Sequence, residues 1–162
     1  MTIAAPPIPD WHADDAVFAA IIPDSTLPLG EGTTRKVYAL PGHTDKVLKV
    51  AKDGSNAANW VEAVVYWSLT DKTGFGEVLA ISRSGKYLVM ERLDDLAPNG
   101  AAGQQVPNWW TDRKSKNFGR SPVSGAVKIR DYALVNLNLG VLTPMPSAED
   151  NAEMRKWMGL FS

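Results

Sequence analysis

The sequence predicts an α+β fold: a five-stranded antiparallel sheet with one helix inserted after its third strand, followed by a smaller second part. Three observations predict it. Short apolar runs recur from Asp24 to Leu93, separated by turns rich in glycine, proline and serine. One longer stretch, from Ser55 to about Leu69, instead carries Trp60, Val64 and Trp67 at helical spacing. Beyond Asp94 the composition changes, because Asp, Pro, Asn, Gly and Gln dominate up to Val106 and mark a connecting segment.

The elements follow in order. Residues 1–10 hold three of the eleven prolines and read as an extended arm, with a short apolar segment of helical character from Trp11 to Ile22. Strands are predicted over 27–32, 36–40 and 46–52, the latter two joined by a turn at Pro41-Gly42-His43. Ser55 is placed to cap the helix. Two further strands, over 76–82 and 86–93, meet at Ser84-Gly85. The second half contains WWTDRKSKNFG, a turn near Ser121-Pro122, an apolar strand over 126–129, and then Arg130-Asp131-Tyr132. Ser147 precedes acidic residues, and Met154, Trp157, Met158 and Phe161 follow at helical spacing, which predicts a docked amphipathic C-terminal helix. The predicted organisation is an arm (1–23), a larger lobe (24–93) and a smaller one (94–162).

Composition narrows the function classes. A chain of 162 residues with 44% hydrophobic and 22% charged side chains buries a real core as one domain or one lobe with an attachment. Its 17 basic and 18 acidic residues give a net charge of -1, so no overall field draws it to nucleic acid or anionic membrane. The absence of cysteine excludes disulfides, thiolate metal sites and cysteine nucleophiles. His12 and His43, the two histidines, read as surface turn residues and make zinc catalysis or a histidine-based triad a poor fit. No apolar run approaches the roughly 18 residues that span a bilayer, and the first residues lack a basic, apolar leader pattern. A soluble, cytoplasmic protein is the expectation.

The chemistry-bearing residues lie in sequence order. Gly30 and Gly32 flank Glu31 in a turn where missing side chains allow backbone amides to approach phosphates, although an ordinary glycine hairpin has the same pattern. Val47, Lys49 and Ala51 share one strand face, so the Lys49 ammonium projects from among small apolar residues and needs an anion. Glu62 aligns with Ala58, Val65 and Leu69 on an apolar helix stripe, where a carboxylate costs several kcal/mol unless paired. Lys49 is its expected partner. Trp109 and Trp110 read as packing residues.

In this order the chain resembles a protein-kinase fold, over roughly residues 24–136. The glycine turn is similar to the kinase glycine-rich loop, Val47-Leu48-Lys49 to the strand bearing the ATP-anchoring lysine, and Glu62 to its ion-pair partner. Tyr87 to Leu93 resembles the fifth strand and hinge, with Met90 as gatekeeper. Asp112-Arg113-Lys114-Ser115-Lys116-Asn117 resembles the catalytic loop D-x-K-x-x-N, and Asp131-Tyr132-Ala133 stands where the family has D-F-G. Arg35 at the third glycine position, Thr111 before Asp112 and Ala133 after Asp131 depart from the pattern. The short interval between Leu93 and Asp112 implies a reduced C-terminal lobe without the usual peptide platform, as in compact kinase-like proteins of bacteria and their phages.

The resemblance implies ATP and Mg²⁺ as cofactors. Gly30, Gly32, Val37, Val47, Lys49, Glu62, Met90 and Glu91 would surround the nucleotide, and Asn117 and Asp131 would hold the metal. Asp112, Lys114 and Lys49 would act in phosphoryl transfer, Asp112 on the attacking hydroxyl and Lys114 on the developing charge. Three readings stay open: an ATP-dependent Ser/Thr-type or autophosphorylating kinase, which the retained residues favour; a pseudokinase that binds and regulates or inhibits a protein partner; and an unrelated α+β binding domain. The basic cluster Arg113, Lys114, Lys116 and Arg120 suits phosphate handling better than nucleic acid.

Overall fold

The computed structural model describes residues 4–134. The helix predicted over 147–161 lies outside them. Strands β1 (Gly30–Glu31), β2 (Arg35–Ala39), β3 (Lys46–Ala51), β4 (Val78–Ile81) and β5 (Tyr87–Glu91) form one sheet in the order β1-β2-β3-β5-β4. Every neighbouring pair is antiparallel. Helix α1 (Asp15–Ala19) precedes the sheet and α2 (Asn56–Ser68) connects β3 to β4. A 3₁₀ turn (Ser115–Asn117) then leads into a separate hairpin of β6 (Phe118–Arg120) and β7 (Val127–Ile129). Among the described residues no helix is long and apolar enough to cross a membrane.

Three predicted elements are altered in detail. The first strand shrinks to two residues because Pro28 has no amide to donate and Leu27 is left 84% exposed, although Leu29 N still donates to Val37 O at 2.7 Å. The helical segment of the arm is confined to the five residues of α1. Ser55 makes no side-chain cap bond. The first turn of α2 closes through Ala58 N to Ser55 O, and Asn56 Nδ2 donates to Ser84 O at 3.0 Å. Strand β6, which starts at the end of the WWTDRKSKNFG stretch, has no alternating pattern that predicts it.

Side-chain alternation divides the sheet between two cores. Val47, Leu88 and Met90 point to one face, where α2 contributes Trp60, Ala63 and Val65. Leu48 and Val89 point to the other, where the arm covers them with Phe18, Ile8 and Ile21. The arm is fixed by His43 Nε2 donating to Pro6 O at 2.7 Å, His12 N to Ile81 O at 2.9 Å, and Ser84 Oγ to Asp15 Oδ2 at 2.6 Å. Gly42 is required beneath it, since its φ is +75° and a Cβ there would lie 2.6 Å from Ala5 Cβ.

The second part docks on the α2 face. Gly76 N donates to Ile129 O and Ile129 N to Gly74 O, while Asp94 and Arg120 exchange backbone bonds. Gly119 allows this approach, because a Cβ would come within 2.4 Å of Leu93 Cβ. Trp109 stacks on Phe75, Trp110 meets Phe118 edge-on, and the Tyr132 hydroxyl donates to Gly76 O at 2.9 Å. Both tryptophans are buried, which bears out their reading as packing residues.

Because Phe18 is fully buried under the arm, Phe18→Ala is expected to cost about 3 kcal/mol of unfolding free energy. Urea denaturation measures it. A loss below about 1 kcal/mol would mean that the arm is not part of the cooperative core.

Candidate functional site

The site forms where two strands and α2 converge. The register pairs Val37 with Lys49 and Arg35 with Ala51, so the alternation of β2 sends Arg35 to the same face as Lys49. On α2, Asn59 and Glu62 are one turn apart and both turn inward. All four polar side chains are nearly or fully buried: Arg35 and Lys49 at 5% exposure, Asn59 and Glu62 at 0%.

Glu62 is the hub. Its carboxylate faces the Lys49 ammonium at 2.9 and 3.1 Å, as the sequence predicts. It also takes a two-pronged contact from Arg35, with Nη1 to Oε2 at 2.7 Å and Nη2 to Oε1 at 3.1 Å. Tyr132 N donates to Oε1 at 3.0 Å, tying the segment after β7 to the same acid. Arg35 continues outward, donating from Nη2 to Asp131 Oδ1 at 2.8 Å and from Nη1 to Asn59 Oδ1 at 3.3 Å. Lys49 has a third acceptor in Arg130 O at 2.6 Å. Asn59 is oriented by its own donation to the carbonyls of Gly85 and Lys86.

The electrostatics follow from this packing. Burial alone would raise the Glu62 pKa, yet Arg35 and Lys49 beside it drive it down to about 2. For Arg35, burial works against the charged form, but Glu62 and Asp131 outweigh it and raise the guanidinium's pKa. For Lys49 burial wins: its pKa is lowered, with Arg35 repelling it and Glu62 only partly compensating.

A second group lies on the loop before β6. Asp112 pairs with Lys114 at 3.0 Å, and this hydrogen bond, against slight desolvation, lowers the Asp112 pKa. Asn117 is buried at 3% exposure, and its Nδ2 donates to Asp112 O at 2.7 Å. Two hydrogen bonds join the segments that carry them: Arg130 N donates to Asn117 O, and the Trp110 indole N–H donates to Asp131 O.

The remaining predicted site residues are distributed around this centre. Gly30 is exposed in β1 opposite Val37, and the Gly32 amide is already bonded to Arg35 O at 2.9 Å. Val37 is half-buried and Val47 buried on the same face as Lys49. Met90 is fully buried in β5 beside Gly76. Glu91 turns to the hairpin, accepting from Ser121 Oγ at 2.6 Å and Lys128 Nζ at 2.8 Å, and its amide bonds to Glu77 O.

Arg35, which the motif match places only as a departure from the glycine pattern, and Asn59 are the members of this cluster not assigned to the site from sequence. The signal for Arg35 was present: it is two residues before Val37 on a strand of period two, facing the strand of Lys49. Asn59 stands three residues before Glu62 on α2, the spacing of a shared helix face.

No family model and no curated protein matches the chain. Among solved structures, an apo pseudokinase is similar with a TM-score of 0.51 and 13% sequence identity, covering 97% of this chain and 77% of that one. With the antiparallel sheet and its inserted helix, this likeness defines a kinase-like α+β fold.

The side chains on which the resemblance would place nucleotide and metal hold one another in this structure. The Lys49 ammonium has three donors, and three protein oxygens lie within 3.1 Å of it. Asp131, the expected metal ligand, faces a guanidinium at 2.8 Å. A divalent cation beside it would meet strong repulsion from Arg35.

Two outcomes are expected. Glu62→Ala strands two buried cations and should cost about 3 kcal/mol or more in chemical denaturation; a neutral effect would disprove the hub role. Because the folded-state pKa of Glu62 is depressed, its contribution is complete above the ordinary value of 4.5 and is lost as pH falls through about 2. The thermal midpoint should drop across that window in the native protein, and a flat profile there would contradict the pairing.

Proposed function

We propose that this kinase-like protein works without nucleotide turnover, as a pseudokinase whose surface binds and regulates a protein partner. One observation carries the reading: Arg35, at the position where kinases have the third glycine of the loop, sends its guanidinium between Glu62 and Asp131. The carboxylate that would receive a metal is thereby balanced by a side chain of the protein itself. The internally satisfied Lys49 and the bonded Gly32 amide support the same reading.

ATP-dependent phosphotransfer is the second reading, and two observations favour it. The Lys49–Glu62 pair is formed, and Asp112 stands beside Lys114. In that case Asp112 would act on the acceptor hydroxyl, with Lys114 supplying positive charge near it.

Incubation with labelled ATP and Mg²⁺ separates the two. The native protein is expected to incorporate or transfer no more label than its Asp112→Asn form, and millimolar ATP with Mg²⁺ should leave its thermal midpoint unchanged. Label transfer that disappears in Asp112→Asn would overturn the pseudokinase reading in favour of the enzyme.

A further inference from the structure

Arg35, Lys49, Glu62 and Asp131 make a closed electrostatic set of two cations and two carboxylates, joined by contacts of 2.7 to 2.9 Å. Its members come from β2, β3, α2 and the segment after β7, so the set spans the whole site. Removing Lys49 or Glu62 disturbs its buried end. Removing the Arg35 charge instead leaves one carboxylate in excess, and the outer carboxylate is accessible: the Asp131 side chain is 43% exposed whereas that of Glu62 is 0% exposed.

We propose that Arg35 is an internal substitute for a divalent cation, and that it alone makes the assembled site independent of metal. This deepens the pseudokinase reading and rests on it. The guanidinium suits the task for a stated reason: its planar fork holds both oxygens of Glu62 while a remaining N–H reaches Asp131, so one covalently tethered charge bridges α2 and the C-terminal part. A bound ion would have to be recruited from solution to do the same. Once the tether is cut, the excess negative charge at Asp131, whose side chain is the exposed one of the two carboxylates, should attract a divalent ion.

The test uses the full chain and Mg²⁺ alone as the probe, with ionic strength matched by KCl. Arg35→Gln keeps a polar side chain of similar length but removes the charge. Its thermal midpoint is expected to rise by about 3 °C or more between zero and 10 mM Mg²⁺, while the native protein and Arg35→Lys, which retain the charge, stay within about 1 °C. Adding Asp131→Asn to Arg35→Gln removes the excess carboxylate, and that double variant should fold without Mg²⁺ and ignore it. Indifference of Arg35→Gln to Mg²⁺, whether it is folded or unfolded throughout, overturns the inference. A magnesium response that persists in the double variant overturns it as well. Neither result touches the pseudokinase reading, which fails separately if the native protein transfers label from ATP.

Discussion

Everything that assembles this site depends on one buried carboxylate. Glu62 is fully inaccessible and ionised, and such a charge is tolerated only when opposite charges and donors surround it. Lys49 from β3, Arg35 from β2 and the Tyr132 amide meet that requirement together. Because each donor belongs to a different segment, satisfying one acid fixes the sheet, α2 and the C-terminal part relative to one another. The apolar contacts around it supply most of the burial, but they are not directional. The ionic contacts select the arrangement.

The same requirement changes what the site is able to do. In the arrangement the motifs imply, a lysine and glutamate pair leaves a place for phosphate and metal in front of it. Here Arg35 reaches in from β2 and pairs with both Glu62 and Asp131. The charge balance is reached within the protein. The guanidinium has four acceptor contacts, one of them to Asn59, which itself donates to three backbone carbonyls.

Packing around the site uses glycine where two backbones must meet. Gly119 lets β6 lie against the connection at Leu93, and Gly85 accepts the Trp60 ring, with a φ of +78° that favours the residue without a side chain. Trp60 is on the same helix as Glu62, so the turn between β4 and β5 helps to set the helix that carries the hub. The arm covers the opposite face of the sheet, and its Trp11 and His12 also meet Trp67 and Trp60 of α2.

Much of the fold was determined by the sequence itself. Period-two alternation along β2, β3 and β5, helical spacing from Trp60 to Trp67, and glycine turns between them follow from local geometry, which each segment encodes alone. The Lys49–Glu62 pair was also legible, because a lysine among apolar strand residues and a glutamate on an apolar helix stripe each demand a counter-charge. The identity of the second cation was not. Arg35 is near in space to Asp131 only after a sequence separation of 96 is folded back, and no local pattern reports where a long, flexible side chain ends. Likewise, the docking of β6 and β7 depends on the clearance above Gly119, a property of two surfaces. Sequence determined which residues needed partners; the tertiary structure decided which partner reached them first, because charge neutralisation in a buried site is settled by proximity and geometry.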